Sequence, residues 1–319
     1  IRNSKLKGIK IPELAEPIKV TLFADDTLVY TTEEDDLNIL DNILQTFCLA
    51  STAKFNKEKT EIMPIGTTTF RQNLINSKEM NNYTFDKGIN IIKDGQPMRT
   101  LGAWIGNKIT IDEQWNKILE KQKQIIKLWE TSRPTLRGKE LLSKSLVQSR
   151  AMYLATVNTM PQHIEYQMTK LIKNFLWNNK KRGLLDKPYT YAPTALGGLN
   201  MPNLKARLEA IKITWLRRYL TTSDRPSWAY VADAILANNV TKKPTTEHKS
   251  CISWALQNWH ESARKDAQIP IQLKEIINTA RKYNIGLDGR QLSLETLNQL
   301  PIWNHLAATN NYLWNKKSS

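Results

Sequence analysis

Asp25 and Asp26 stand side by side between two β-prone stretches, residues 17–23 and 27–31. Ile18, Val20 and Leu22 alternate with the period of a strand, so the pattern predicts a hairpin with paired negative charge at its tip. Adjacent carboxylates on a tight turn repel each other, and a bound cation relieves that repulsion. Hard oxygen donors in such small number suit Mg2+, which binds through one or two carboxylates and completes its shell with substrate phosphates. Mn2+ is a possible substitute. A metal held there would activate a 3′-hydroxyl and stabilise departing pyrophosphate in phosphoryl transfer. A bare Asp-Asp pair also fits a solvated acidic turn, so the neighbouring elements have to decide between the two.

Residues 5–31 read as strands that include this hairpin. Residues 35–50 read as a helix with Leu37, Leu40, Leu44 and Phe47 on one stripe, and Glu33 to Asp36 are assigned to its positive N-terminus rather than to metal. A short strand over 60–65 precedes a polar stretch, 66–87, that reads as a loop or insertion. Residues 89–93 and 98–105 are expected to pair across Asp94-Gly95. From Ile111 the period becomes helical. Trp115, Ile118, Ile125 and Trp129 form the apolar stripe of one helix, which Ser132-Arg133-Pro134 ends. Leu141, Leu142, Leu146, Ala151 and Leu154 mark a second helix, and Ile164, Met168, Leu171 and Phe175 a third. Residues 188–202 are turn-rich, 203–220 helical, and 241–249 a polar linker before a smaller helical tail.

In this order the segments resemble the reverse transcriptases of non-LTR (LINE-type) retrotransposons. Phe23-Ala24-Asp25-Asp26 is similar to the metal hairpin of the family's palm, and residues 56–61, Asn-Lys-Glu-Lys-Thr-Glu, to the lysine-bearing segment after it. Leu101-Gly102-Ala103-Trp104-Ile105-Gly106-Asn107 resembles the primer-grip strand that enters the thumb. Leu136-Arg137-Gly138-Lys139 and Gly197-Gly198-Leu199-Asn200-Met201-Pro202 resemble thumb and post-thumb segments. The resemblance implies an α+β fold: a partial palm of antiparallel strands plus helix over 1–108, and a helical thumb over 109–160. A basic helical post-thumb region over 161–240 follows, then a linker and helical tail of unassigned role over 241–319.

The implied activity is that of a nucleotidyltransferase, an RNA-directed DNA polymerase using two metals. Its partners are an RNA template, the RNA–DNA hybrid and a DNA primer or target, in the nucleus or cytoplasm with the retroelement particle. Asp25 and Asp26 would hold metal, and Lys59 would donate a proton to pyrophosphate; from residue type alone Lys59 reads equally as solvated. Trp104 and Gly106 would hold the primer backbone, or else serve as hairpin packing and a turn glycine. Arg137 and Lys139 would meet phosphate at a helix entrance, or form a solvated basic cap. Lys180, Lys181 and Arg182 would face nucleic acid, though such a run is commonly a solvated turn. Trp115, Trp129, Trp177 and Trp215 are assigned to packing rather than base stacking.

The departure from the family is equally specific. Its two-metal centre needs a further aspartate on an upstream strand, and no aspartate precedes Asp25 here. The chain is therefore expected to begin within a palm and to lack polymerase activity alone. A non-catalytic nucleic-acid-binding remnant is the alternative, and a purely structural role is the third reading.

Charge bears on that choice. The net charge is +16, yet residues 1–50 hold five Lys/Arg against nine Asp/Glu, while residues 101–250 hold 25 against 11. A basic body beside a local acidic hairpin suits broad attraction of phosphates with metal bound at one point. No apolar run reaches the length of a membrane span. Cys48 and Cys251 are far apart and lack metal-ligand spacing, so both read as small apolar residues in a reducing compartment.

Overall fold

Strand β1 (Val20–Phe23) turns back on β2 (Asp26–Val29) with Val20 opposite Val29 and Phe23 opposite Asp26. Only Ala24 and Asp25 remain for the turn, and Ala24 takes a left-handed φ of 52°. The computed structural model that shows this describes residues 1–180, 183, 185–201, 203–221, 224–239, 269–283 and 285. They fall into two units, residues 1–10 with 16–208, and residues 11–15 with 209–319.

In the first unit, α1 (Leu37–Ser51) is capped by Asp36, whose carboxylate accepts from the Asn38 amide at 3.0 Å. The other acidic residues before it do different work. Asp35 is 2% exposed and accepts from the amides of Lys7, Gly8 and Thr32, fastening the N-terminal segment to the loop after β2. Burial alone would raise its pKa; those amides, with the Thr32 hydroxyl, outweigh it and hold the carboxyl below its usual range. Glu34 pairs with Lys7 at the surface. The stripe predicted for α1 is buried only at its start: Leu37 is inside, while Phe47 is 51% exposed.

Residues 66–87 are not a loop. They form α2 (Thr68–Ser77), capped by the Thr67 hydroxyl, and a small hairpin of β4 (Glu79–Met80) and β5 (Tyr83–Thr84). Leu74 and Phe85 join Leu37 and Ile91 in one apolar cluster, with Phe70, Ile62 and Tyr83 packed against it. Strand β3 (Glu61–Ile62) runs parallel to β6 (Asn90–Ile91) across this cluster. The next hairpin pairs β7 (Met98–Thr100) with β8 (Ala103–Ile105), so it closes at Leu101-Gly102 and not at Asp94-Gly95. Both turn residues have positive φ, 47° and 78°, as a two-residue turn matched to strand twist requires.

The helical part follows as α3 (Asp112–Glu130), α4 (Leu136–Leu142), a π-helical stretch (Ser143–Gln148), α5 (Ser149–Asn158) and α6 (Gln162–Leu176). On α3 the buried side is Trp115, Leu119, Gln122 and Ile126; Ile118 and Ile125 flank it and Trp129 is exposed. Gln122 is inside because its amide donates to the Val147 carbonyl at 2.7 Å, within the π stretch. A π turn shifts the register of the faces it joins. Thus Ala151 and Leu154 are buried as expected, while Leu141 on the preceding α4 is 53% exposed. Residues 187–201 contain α7 (Lys187–Tyr191) and a 3-10 turn, Thr194–Leu196.

The second unit holds most of α8 (Leu204–Leu220), together with α9 (Ser227–Asn239) and α10 (Ile271–Lys282). Leu216, Tyr219, Ala229, Leu236, Leu273 and Ile277 belong to its core, against which Trp215 and Trp228 pack. Asp233 joins the helices by accepting from the Tyr219 hydroxyl at 2.7 Å and pairing with Arg225 at 2.5 Å. The polar linker expected over 241–249 lies outside the described residues, as does Cys251. The chain is thus α+β, with small sheets early and helices after. Among the described residues no helix is long and apolar enough to cross a membrane.

Candidate metal hairpin and nucleic-acid interface

The β1–β2 tip projects both carboxylates into solvent. Asp25 sits in the turn and Asp26 opens β2, and neither has a hydrogen-bonded or ionic side-chain partner among the described residues. Leu22 and Phe23 beside them are 61% and 67% exposed. A left-handed alanine costs about 1–2 kcal/mol, so this tight tip is held against a local preference. Two hard oxygen donors fit the protein's share of a magnesium site that is completed by phosphates. Among the described residues no group of three or more His, Cys, Asp or Glu gathers, at this tip or elsewhere.

Lys59 ends a 3-10 turn, Lys57–Lys59, in which the Asn56 side chain accepts from the Lys59 amide at 3.1 Å. Lys57 is committed to Asp86 at 2.5 Å, leaving Lys59 as the exposed lysine without a side-chain partner among the described residues.

The β7–β8 hairpin is clamped at several points. Buried Asn158, at the end of α5, accepts from the Trp104 amide at 2.8 Å and donates to the Trp104 carbonyl at 2.7 Å. Tyr153 on the same helix donates to the Leu101 carbonyl in the turn. A Cβ on Gly102 would stand 2.8 Å from the Tyr153 ring, so glycine is required twice over there, by contact and by φ. At the hairpin's base, Arg71 from α2 donates to both oxygens of Asp94, at 2.8 and 2.7 Å, and Lys108 reaches the same carboxylate at 3.1 Å. The Arg71 hydrogen bond, against some burial and with help from Lys108, holds the Asp94 carboxyl at about 2. Asn107 ties the end of β8 to the Pro64 carbonyl at 2.7 Å. Gly106 is a close-packing glycine, because a Cβ would meet Gln96 O at 2.8 Å. The Trp104 indole is half-buried, with the Arg99 guanidinium 5.8 Å from its ring centre.

The basic candidates divide. Lys139 is 6% exposed and its ammonium donates to the Phe175 carbonyl at 2.8 Å and to the Asn178 side chain, so it caps the C-terminus of α6. The expectation that it meets phosphate is corrected: its charge is spent on carbonyl dipoles inside the fold. Arg137 is exposed but leans on Glu140, which also holds Lys144. Lys180 is exposed directly after two left-handed residues, Asn178 and Asn179, that end α6. Lys181 and Arg182 lie outside the described residues. Trp115 and Trp177 are buried, as packing requires, and the Trp115 indole donates to Thr159 O at 3.0 Å.

Asn158 and Tyr153, the two α5 residues that fix the hairpin, were not among the expected site residues. Asn158 stands in an apolar helix end, Ala-Thr-Val-Asn, where a buried amide is itself a signal of a demanding partner.

No family model matches the chain. No curated protein is significantly similar to it.

Proposed function

We propose that this chain carries the metal hairpin, primer-holding hairpin and helical thumb of a retroelement RNA-directed DNA polymerase, a reverse transcriptase of the non-LTR type. The observation that carries this reading is the two-residue turn that presents Asp25 and Asp26, unpartnered among the described residues, at the tip of an exposed hairpin. The clamped β7–β8 hairpin supports it, since a primer end must be held by backbone that does not yield. A divalent metal bound at Asp25 and Asp26 would supply charge for the attacking and leaving oxygens. Lys59, exposed and without a side-chain partner among the described residues, would donate a proton to departing pyrophosphate. The hairpin backbone from Leu101 to Asn107 positions the primer, and the exposed lysines of the helices attract the phosphates of an RNA–DNA hybrid.

Asp25 and Asp26 by themselves complete neither metal's ligand set, and among the described residues no third His, Cys, Asp or Glu joins them. With a primed RNA template, magnesium and deoxynucleotides, the chain should bind the template in a salt-sensitive way and incorporate only at background. Absent or salt-insensitive binding contradicts the polymerase reading. Robust extension that is lost in Asp25→Ala contradicts the incomplete ligand set.

A further inference from the structure

Helix α5 meets the β7–β8 hairpin at two places, Tyr153 at its turn and Asn158 at Trp104. Tyr153 is restrained twice. Its hydroxyl donates to the Leu101 carbonyl, and its ring lies so near Gly102 that a Cβ there would stand 2.8 Å from it. The ring is nevertheless 53% exposed. A tyrosine whose one polar atom is bonded within the fold shows solvent only aromatic carbon, and the two restraints keep this one so. Leu101 is exposed in the same turn, so the apolar surface extends beyond the ring.

Arg150 precedes Tyr153 by three residues on α5, which sets the two side by side on the helix surface. It is exposed and has no side-chain partner among the described residues. Residues 95–111 and 141–164, which build this surface, contain Arg99, Lys108, Lys144 and Arg150 but no Asp or Glu. Asp94 and Glu140 engage Lys108 and Lys144 from outside those stretches, leaving Arg99 and Arg150 without an ion pair among the described residues. A carboxylate or phosphate alone would make no use of the fixed ring, and hydrocarbon would leave the guanidinium unmatched. A flat ring joined to a phosphate uses both, by stacking on the tyrosine and pairing with the arginine.

We propose that Tyr153 stacks one unpaired base of a single-stranded nucleic acid and that Arg150 holds the phosphate of that strand. That the strand is a template or primer rests on the polymerase reading; the stacking site rests on the ring and the guanidinium. The test is fluorescence anisotropy of the full chain with a short labelled RNA and with an abasic oligonucleotide of equal length and charge. The parent should bind the RNA about tenfold more tightly, the order that one stacked base contributes. Tyr153→Leu should bind both as weakly as the parent binds the abasic strand. Tyr153→Phe keeps the ring and gives up the hydroxyl bond, so it should keep the difference. Arg150→Gln should weaken both strands and flatten the salt slope by about 0.7, the value for one phosphate on a single strand. In the parent, irradiation of RNA carrying 5-iodouridine should attach it to Tyr153, a readout that needs no variant. Equal affinity of the parent for the two strands, a difference that survives Tyr153→Leu or is lost in Tyr153→Phe, an unaltered slope in Arg150→Gln, no adduct at Tyr153, or equal displacement by polyglutamate would each overturn the proposal. A parallel titration with blunt RNA–DNA hybrid separates the two readings. Salt-sensitive hybrid binding without the base effect overturns this proposal and leaves the polymerase reading standing; the base effect without hybrid binding removes that reading and leaves the stacking site.

Discussion

The side chain of Asn158 grips Trp104 from both sides of one residue, accepting from its amide at 2.8 Å and donating to its carbonyl at 2.7 Å. A buried helix end thereby completes the outer edge of a short β-hairpin. Helix α5 and the β7–β8 hairpin are fastened to each other by two hydrogen bonds from one side chain.

Replacing Asn158 with Ala strands an amide and a carbonyl in a nearly closed site. The expected cost is about 2–4 kcal/mol, from two buried groups at roughly 1–2 kcal/mol each. Denaturant unfolding should show it, and hydrogen exchange at the Trp104 amide should accelerate well beyond that of neighbouring core amides.

Asp94 links stability to pH. Its carboxyl is held at about 2, below its ordinary 3.8, chiefly by the Arg71 hydrogen bond. A depressed carboxyl stabilises the fold fully above its unfolded pKa and loses that contribution as pH falls through the folded value. Stability should therefore decline between about pH 4 and pH 2 more steeply in the parent than in Asp94→Asn. Parallel acid-unfolding curves would show that the Arg71–Asp94–Lys108 cluster does not hold in solution.

Lys139 separates structural from phosphate-binding charge. Lys139→Met should lower stability by about 1.5–3 kcal/mol, the range for a hydrogen bond to a charged group, because the α6 carbonyls lose their cap. It should leave RNA–DNA hybrid affinity and its salt dependence unchanged. A flattened salt slope with intact stability would return Lys139 to the interface.

The places where sequence failed are instructive. The α1 cap, the β1–β2 hairpin and helices α3, α5 and α6 were legible because Asp36, the strand alternation and the 3.6-residue stripes are local signals. Helix α2 was hidden since its sequence, Thr-Thr-Phe-Arg-Gln-Asn-Leu-Ile-Asn-Ser, offers few apolar residues, and its buried anchor is Arg71 bound to distant Asp94. Asp94-Gly95 is the stronger turn signal, yet the hairpin closes at Leu101-Gly102 because Tyr153 and Asn158 hold it there. At the candidate site, Asp25 and Asp26 announced themselves by adjacency. Nothing local in Lys139 tells that it faces the end of another helix 36 residues away.

Neutralising Lys180, Lys181 and Arg182 together should weaken hybrid binding for every sequence alike, since phosphate contacts carry no base information. Each phosphate left without its cation flattens the slope of log affinity against log salt by about 0.9, so the three substitutions flatten it by at most about three units. Folding should be little altered. An unchanged slope would turn this basic run away from nucleic acid.

The most direct measurement is manganese binding at the β1–β2 tip, followed by water proton relaxation or calorimetry with primed RNA template and nucleotide absent or present. Metal held by Asp25 and Asp26 should bind weakly alone, with affinity of order millimolar, because substrate phosphates supply its remaining ligands. Binding should tighten when template and nucleotide are added and disappear in Asp25→Asn. Tight binding that survives Asp25→Asn would place the metal elsewhere and contradict the assignment of this hairpin.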